Sequence, residues 1–451
     1  MIQIREFAGR LSIRMRGAAG RVGVLRPLRI RDFRLLWTGM TVSMVGDGIY
    51  IIAIALQVLE ISNSASALAG VGIAWTLPQV VLMLASGALS DRVDRRHLMI
   101  AGDLVRLVAI GAIGALSIGG DLALPMLYVL VVGYGIGQAI FWPAFSSIVP
   151  TIVPPEELVE ANSLAQVVRP FSYMLVGPVV GGVLSGTLGP GWAFVIDGAS
   201  FGFSALMILL MRTRTQTRGD TDVASVWHEM KEGLRYVRRE TWIWAALVGA
   251  TISLLCTWGP WETLLPYVVT NDLQGEGVAL GLVFGAGGLG SVVAAIVMGQ
   301  RGSLPRKPVT VLYVAWAIGM YGVAGFGVVR SVWQAMLVAF VAEGSIAVLI
   351  VVWYTLLQRL VPRDLQGRVF SLDWMISIAG VPLSFAIVGP LAGWIGERTT
   401  LVLAGLLGGS VTLAFLLIPG ARDPERDPAM IERLRADPNR QRTPEPAVVP
   451  R

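Results

Sequence analysis

Three carboxyl side chains stand inside long apolar runs of this chain. Asp47 lies between Gly46 and Gly48, Glu262 beside Trp258, Pro260 and Trp261, and Glu343 within Val341-Ala-Glu343-Gly344-Ser345. A carboxyl in hydrocarbon holds a proton while dry and ionises when water or a cation reaches it. That behaviour suits a proton-coupled carrier, which takes up a proton on one side of a membrane and releases it on the other. Small neighbours such as Gly46 and Gly48 let a second helix or a substrate come close to the carboxyl. The competing reading is that Asp47 or Glu343 only hydrogen-bonds a neighbouring helix. Asp103 and Arg106 are three residues apart on one helical face, so they are expected to pair with each other as a structural device. Asp197 and Asp373 are read as structural too, Asp373 as a cap of its own helix start.

Other chemistries lack their residues. Cys256 is the one cysteine, and the two histidines, His97 and His228, both fall in polar segments. No disulfide framework and no metal cluster is expected, and no Ser–His arrangement stands in the apolar runs to suggest an enzyme. The expected cofactor is none beyond a proton gradient.

The elements that must position these groups follow from composition. Hydrophobic residues make up 54% of the 451 residues and charged ones 15%, with a mean hydropathy of +0.67. A soluble domain carries about 25% charge, so lipid is the main solvent here. Twelve runs reach membrane-crossing length: 35–59, 67–90, 98–118, 124–149, 164–186, 192–211, 243–269, 278–300, 308–328, 331–357, 369–395 and 399–418. With both termini inside, the cytoplasmic segments hold 32 of the 36 Lys and Arg, against only Arg330 and Arg398 outside. Short loops rich in Arg stay inside, so the net charge of +6 is a topology signal and no nucleic-acid partner is expected.

The chain divides into a basic arm (1–34), six spans (35–211), a polar connection (212–242), six more spans (243–418) and a tail (419–451). In the connection Val226, Met230, Leu234 and Val237 recur at helical spacing, which predicts an amphipathic helix, either on the inner leaflet or as a solvated linker. The Pro- and charge-rich tail is expected to be disordered, and no folded soluble domain is expected that would make a sensor. The two halves read as copies. Pro154, Glu156, Ser163 and Leu164 align with Pro362, Asp364, Ser371 and Leu372, and Gly177-Pro178-Val-Val-Gly181-Gly182 is echoed by Gly389-Pro390-Leu-Ala-Gly393 after the offset grows by four residues.

Between the second and third spans runs Gly87-Ala-Leu-Ser-Asp91-Arg92-Val-Asp-Arg95-Arg96-His97. This stretch resembles the signature loop of the major facilitator superfamily of transporters. The phrases Asp32-Phe33-Arg34-Leu-Leu-Trp37, Pro143-Ala144, Glu157-Leu158, Ala161-Asn162-Ser163 and Gly367-Arg368-Val369-Phe370 are similar to its macrolide-efflux and enterobactin-exporter branch, over about residues 30–418. The resemblance implies an all-α membrane fold of twelve helices in two pseudo-symmetric six-helix bundles. It also implies a gate in which Gly87, Asp91, Arg92, Arg95 and Arg96 bridge the inner ends of the two bundles and hold the outward-open state. Asp94 stands where the family has a second glycine and is expected to accept the left-handed turn.

Gly177, Pro178, Gly181 and Gly182 resemble the end of the antiporter motif of exporters, with Tyr173 where the longer form has glycine. Physically they kink a helix and allow close contact. The arginine that many proton antiporters carry in the fourth span is absent from 124–149. Trp75, Phe141, Trp142 and Trp258 are candidates to line an apolar cavity, against the alternative of packing or interface anchors. The expectation is a monomeric exporter in a bacterial cell membrane, driving small amphipathic drugs or siderophore-like molecules out against proton entry, with membrane lipid around it. The alternatives are an importer, or a lysolipid flippase without proton coupling.

Overall fold

The computed structural model describes residues 26–154, 157, 158, 160, 161, 164, 168–212, 223–301 and 303–435, of which 83–92, 223–230, 363, 364 and 435 are described by backbone alone. Most of the expected N-terminal arm, the stretch 213–222 and the tail beyond Arg435 lie outside the described residues. Twelve helices among them are long and apolar enough to cross a membrane. They are α1 (Arg31–Ser62), α2 (Ala65–Arg92), α3 (Arg95–Gly119), α4 (Leu124–Ile152), α5 (Arg169–Leu188), α6 (Pro190–Leu209), α7 (Thr241–Asp272), α8 (Gly277–Arg301), α9 (Pro308–Val328), α10 (Val332–Leu360), α11 (Leu365–Ile395) and α12 (Glu397–Phe415).

Packing repeats with a shift of six helices. The neighbours α1–α6, α3–α6, α3–α4 and α2–α4 in the first half correspond to α7–α12, α9–α12, α9–α10 and α8–α10 in the second. Across the halves α5 packs on α8, and α11 on α2, which is the same contact made twice by the pseudo-twofold. Equivalent turns even share a backbone conformation. Gly189 before α6 has φ 88 and Gly396 before α12 has φ 86, a region where a side chain would be strained.

The core shows how the halves meet. At the end remote from the termini, one continuous cluster joins both bundles, from Ile52 and Leu56 of α1 and Val71 of α2 to Leu264, Val283 and Val388 of the second half. At the terminus-bearing end there are two separate cores. One is built on Phe33, Met99, Phe145 and Ile208, the other on Ile243, Leu312, Leu356 and Leu372. Among the described residues the bundles therefore share a core at one end and keep separate cores at the other.

Two expectations are corrected here. The tail does not lose order at 419. Asp423–Arg426 and Pro428–Arg435 are helical, and the tail docks on the second bundle. The Glu425 carboxylate accepts from the Thr310 backbone N–H (3.0 Å) and hydroxyl (2.7 Å) at the start of α9. Arg359 donates to the Leu434 carbonyl, and Met430 and Leu434 pack on the second bundle's core. Apolar residues at helical spacing outweigh the polar composition. Asp94, for its part, is not left-handed. Its φ is −54 and its side chain accepts from the Arg96 backbone N–H at 3.0 Å, so it caps α3.

The linker helix, Val223–Arg239, forms over the expected range. Its Leu234 and Val237 join the second bundle's core, and Glu232 pairs with Arg368 at 2.5 Å. Its described apolar face rests on protein.

Candidate functional site

Asp47 is 4% exposed in the middle of α1. Its Gly neighbours have a specific use. A Cβ on Gly46 would strike the Asp197 carboxylate and the Ser200 hydroxyl of α6, and one on Gly48 would lie 2.7 Å from the Tyr173 carbonyl and 2.9 Å from Gly177 Cα of α5. The Gly-Asp-Gly run thus lets α6 and α5 flank the carboxyl.

Hydrogen bonds tie that carboxyl to two other helices. Tyr134 of α4 donates to Asp47 Oδ1 at 2.6 Å, and Gln138 Nε2, one turn along, donates to the Tyr134 hydroxyl at 2.8 Å. Trp75 Nε1 of α2 donates to Gln138 Oε1 at 3.1 Å. The order Trp75–Gln138–Tyr134–Asp47 forms a continuous polar chain across otherwise apolar packing.

Behind it lie Asp103, Arg106 and Asp197. Arg106, 1% exposed, pairs with Asp103 as expected, and its guanidinium sits 4.3 Å from the Phe141 ring centroid and 4.4 Å from that of Phe201. Its charge also acts on Asp47 and Asp197. Asp197 is fully buried, accepts a long 3.4 Å bond from Ser200 and leaves Oδ2 without a hydrogen-bond partner. The charge of one guanidinium therefore acts on three carboxyls, and Asp197, which lies against Gly46, belongs to the Asp47 centre although its sequence context marks it only as structural.

A cavity opens between the bundles beside this centre. Tyr50, Trp75, Tyr134, Tyr173, Phe284 and Phe385 line it, with Glu262 as the acidic group in its wall. Glu343 lies close enough to Glu262 for their charges to interact, and the Arg169 charge acts on Glu343. Of the four aromatic cavity candidates, Trp75 lines this space. Phe141 instead stacks on Arg106 and Trp142 joins the first bundle's own core, while Trp258 is outside this lining and its Nε1 is buried without a partner.

The helix-kink residues do mechanical work on two sides. A π-helical stretch, Arg169–Val176, runs directly into Gly177-Pro178, so the break expected from Pro178 takes the form of a widened turn before it. Gly177 and Gly181 lie against α1, while Gly182 lies against Gly277 and Gly281 of α8, where an added Cβ would be 2.6 Å from the Gly277 carbonyl. In α11 the matching irregularity is a break at Gly380 between Arg363–Ala379 and Val381–Ile395. Helix therefore begins well before Asp373, which accepts from Trp353 Nε1 at 3.3 Å. It does not cap a helix start.

At the terminus-bearing end Arg95 donates to the Ser147 carbonyl of α4 at 2.9 Å, and Arg96 donates to the Ile208 carbonyl at 3.0 Å and to that of Leu209. Both keep to their own bundle in this state. Gly87, Asp91 and Arg92 belong to α2 by backbone, and their side chains lie outside the described residues.

Sequence reading missed Tyr134, Gln138 and Tyr50, noted Tyr173 only as a departure from the antiporter motif, and left Arg169 without a role. Tyr134 and Gln138 did carry a signal, two polar groups four apart in an apolar span. Tyr50, Tyr173 and Arg169 acquire a place only when α1 and α5 meet the second bundle.

Comparison with known proteins agrees with this architecture. Residues 22–437 match the model of a family described as transmembrane secretion effector. The chain is 24% identical over 381 residues to macrolide efflux protein A of Streptococcus pyogenes, covering 83% of this chain and 93% of that protein. It is 28% identical over 386 residues to the multidrug efflux pump Tap of Mycolicibacterium fortuitum, covering 82% and 91%. A solved POT family transporter in complex with a thioalcohol conjugated peptide has the same fold, with a TM-score of 0.69 at 11% identity, covering 86% of this chain and 96% of that one.

Proposed function

Because the chain belongs to the transmembrane secretion effector family of major facilitator transporters, and is a transporter and not an enzyme, we propose that it exports amphipathic small molecules by proton-coupled alternating access. Its place is a bacterial cell membrane with both termini in the cytoplasm, as the concentration of Arg at the terminus-bearing end favours. In that orientation the joint core would close the outside and the space between the two separate cores would face the cytoplasm, as in an inward-facing state. Rocking of the bundles would part α5 from α8 and α2 from α11 outside. It would bring Arg92, Arg95, Arg96 and Asp91 of the inner hairpin against the second bundle.

The observation that carries this reading is the polar chain from the cavity wall to a buried carboxyl. Asp103 takes the ion pair with Arg106. The charges of Asp47 and Asp197 then call for protons, and Tyr134, which donates to Asp47 and itself lines the cavity, joins that carboxyl to the open space, held in place by Gln138 and Trp75. Arg106 on α3 supplies the cation that other antiporters are expected to carry on the fourth span. Glu343 and Glu262 add carboxyls at the substrate side.

In proteoliposomes with an imposed pH gradient, Asp47→Asn should abolish gradient-driven accumulation of macrolide or dye substrates while the purified protein stays monodisperse. Undiminished pH-dependent transport by this variant would remove Asp47 from the mechanism. Flux in inverted vesicles separates export from import.

A further inference from the structure

We infer that Phe385 of α11, seated in a notch made by Gly72 of α2, sets the size of molecule that the cavity between the bundles admits. The inference rests on the transport reading above and names a specificity-determining pair in the same cavity.

Gly72 and Phe385 meet across the seam between the halves, and both line the cavity. A Cβ on Gly72 would fall on the Phe385 ring, on top of Cδ1 and Cε1 and 2.6 Å from Cγ. The ring therefore occupies the place where any other residue type would put its own side chain. Phe385 is 3% exposed, yet it belongs to none of the three apolar cores. The notch on α2 is what takes the ring out of the open space.

Its own helix aims the ring there. α11 resumes at Val381 after the break at Gly380, and the Gly259 backbone N–H of α7 donates to the Ser384 hydroxyl at 2.8 Å. Consecutive residues point about 100° apart around a helix. With Ser384 fixed on α7, Phe385 is turned toward α2. The opposite seam shows that two helices close without a ring. There the Val179 side chain rests on Gly285, where an added Cβ would lie 2.5 Å from Val179 Cγ2. A methyl group suffices between α5 and α8, so the ring between α11 and α2 adds bulk beyond what the seam needs, at the cavity wall.

The pair trades volume. While Gly72 leaves the notch free, the ring lies in it and the cavity keeps its width. A Cβ in the notch forces the ring to another staggered position. Packed interiors hold no other void of ring size, so the ring turns into the cavity, and no backbone has to move. Lost width penalises large ligands and spares small ones. One methylene group more or less in an apolar pocket changes selectivity about 10–200-fold.

The test is saturable binding of two probes of equal charge and different bulk, methyltriphenylphosphonium and tetraphenylphosphonium. They are bound to the full chain in lipid nanodiscs at fixed pH with no gradient, corrected with empty nanodiscs. The readout is the ratio of the two affinities, in which a loss of active protein cancels. Gly72→Ala should lower the relative affinity for tetraphenylphosphonium about tenfold or more. Phe385→Leu in the Gly72→Ala background should bring the ratio back toward that of the wild type, and Phe385→Leu alone should move it toward the larger probe. An unchanged ratio in monodisperse Gly72→Ala protein, or no recovery in the double variant, would overturn the inference. Phe385→Leu adds no bulk, so it keeps the test readable if Gly72→Ala does not fold, and a ratio it leaves unmoved refutes the inference equally. Binding is read without a gradient, so failure of proton coupling leaves the ratio readable, and intact coupling with a size-blind cavity would overturn this inference alone.

Discussion

Adding one methyl group at Gly281 should change the resting conformation. A Cβ there would lie 2.5 Å from the Pro178 carbonyl and 3.0 Å from Gly182 Cα, both backbone atoms of α5. Neither neighbour can rotate away as a side chain end would, so α8 and α5 must separate by about 0.5–1 Å, which forfeits a quarter to a half of each dispersion contact along the seam. Overpacking of this kind costs about 1–3 kcal/mol. The cost falls only on the state in which α5 and α8 touch, since parting them removes the clash. Gly281→Ala should therefore shift the balance between the two states about 5–150-fold toward the one open at the end remote from the termini.

The assay is the distance between spin labels at Asp121→Cys, in the α3–α4 turn, and Arg330→Cys, in the α9–α10 turn, in a Cys256→Ala background. Both positions are exposed, one on each bundle at that end. The variant should lengthen or broaden the distance distribution relative to its parent. An unchanged distribution, or one shifted to shorter distances, would refute the argument that this glycine seam holds the closed end together.

Removing one member of the buried pair should cost more than removing both. Arg106→Leu leaves Asp103 buried and unpaired, a loss of about 3–5 kcal/mol, whereas Arg106→Leu with Asp103→Asn should recover much of it; thermal unfolding followed by tryptophan fluorescence compares them, and equal loss in single and double variants would contradict the pairing. The tail lock should depend on pH. Burial tends to raise the Glu425 carboxyl, but bonds from the Thr310 hydroxyl and backbone N–H and from Arg422 outweigh it and hold it below its usual 4.5. A lowered value means the anchoring is complete at neutral pH and is lost as pH falls below that usual value. Hydrogen exchange in 423–435 should therefore rise on acidification, and Glu425→Gln should show the raised rate already at pH 7; protection that ignores both would exclude this anchor.

Much of the molecule is legible in one dimension because lipid imposes a simple rule. Backbone groups in hydrocarbon must bond within their own helix, so length and apolarity alone pick out twelve spans, and Arg placement orders them. The internal repeat, visible in Gly177-Pro178 and Gly389-Pro390, anticipates that α5 and α11 play equivalent parts. The pairing of Asp103 with Arg106 is local, three residues apart on one helix, and needs no tertiary knowledge. Local composition misleads where distant partners decide. The tail looks too polar to fold until Thr310, more than a hundred residues earlier, offers its N–H to Glu425. Asp373 looks like a cap until its helix is seen to run from Arg363 to Ala379.

What the sequence determined by itself is therefore the solvent, the number of crossings, the two-fold plan and the short list of acids that hydrocarbon makes expensive. Which of those acids share a charge was left to tertiary structure. Asp197 joins Asp47 because α6 lies against Gly46, and Glu262 lines one cavity with Tyr50 and Trp75 because α7 packs on α1 and α2. The physical reason is range: periodicity reports on one helix and its own face, while the fate of a buried charge depends on groups that come within a few ångströms only after the bundles pack.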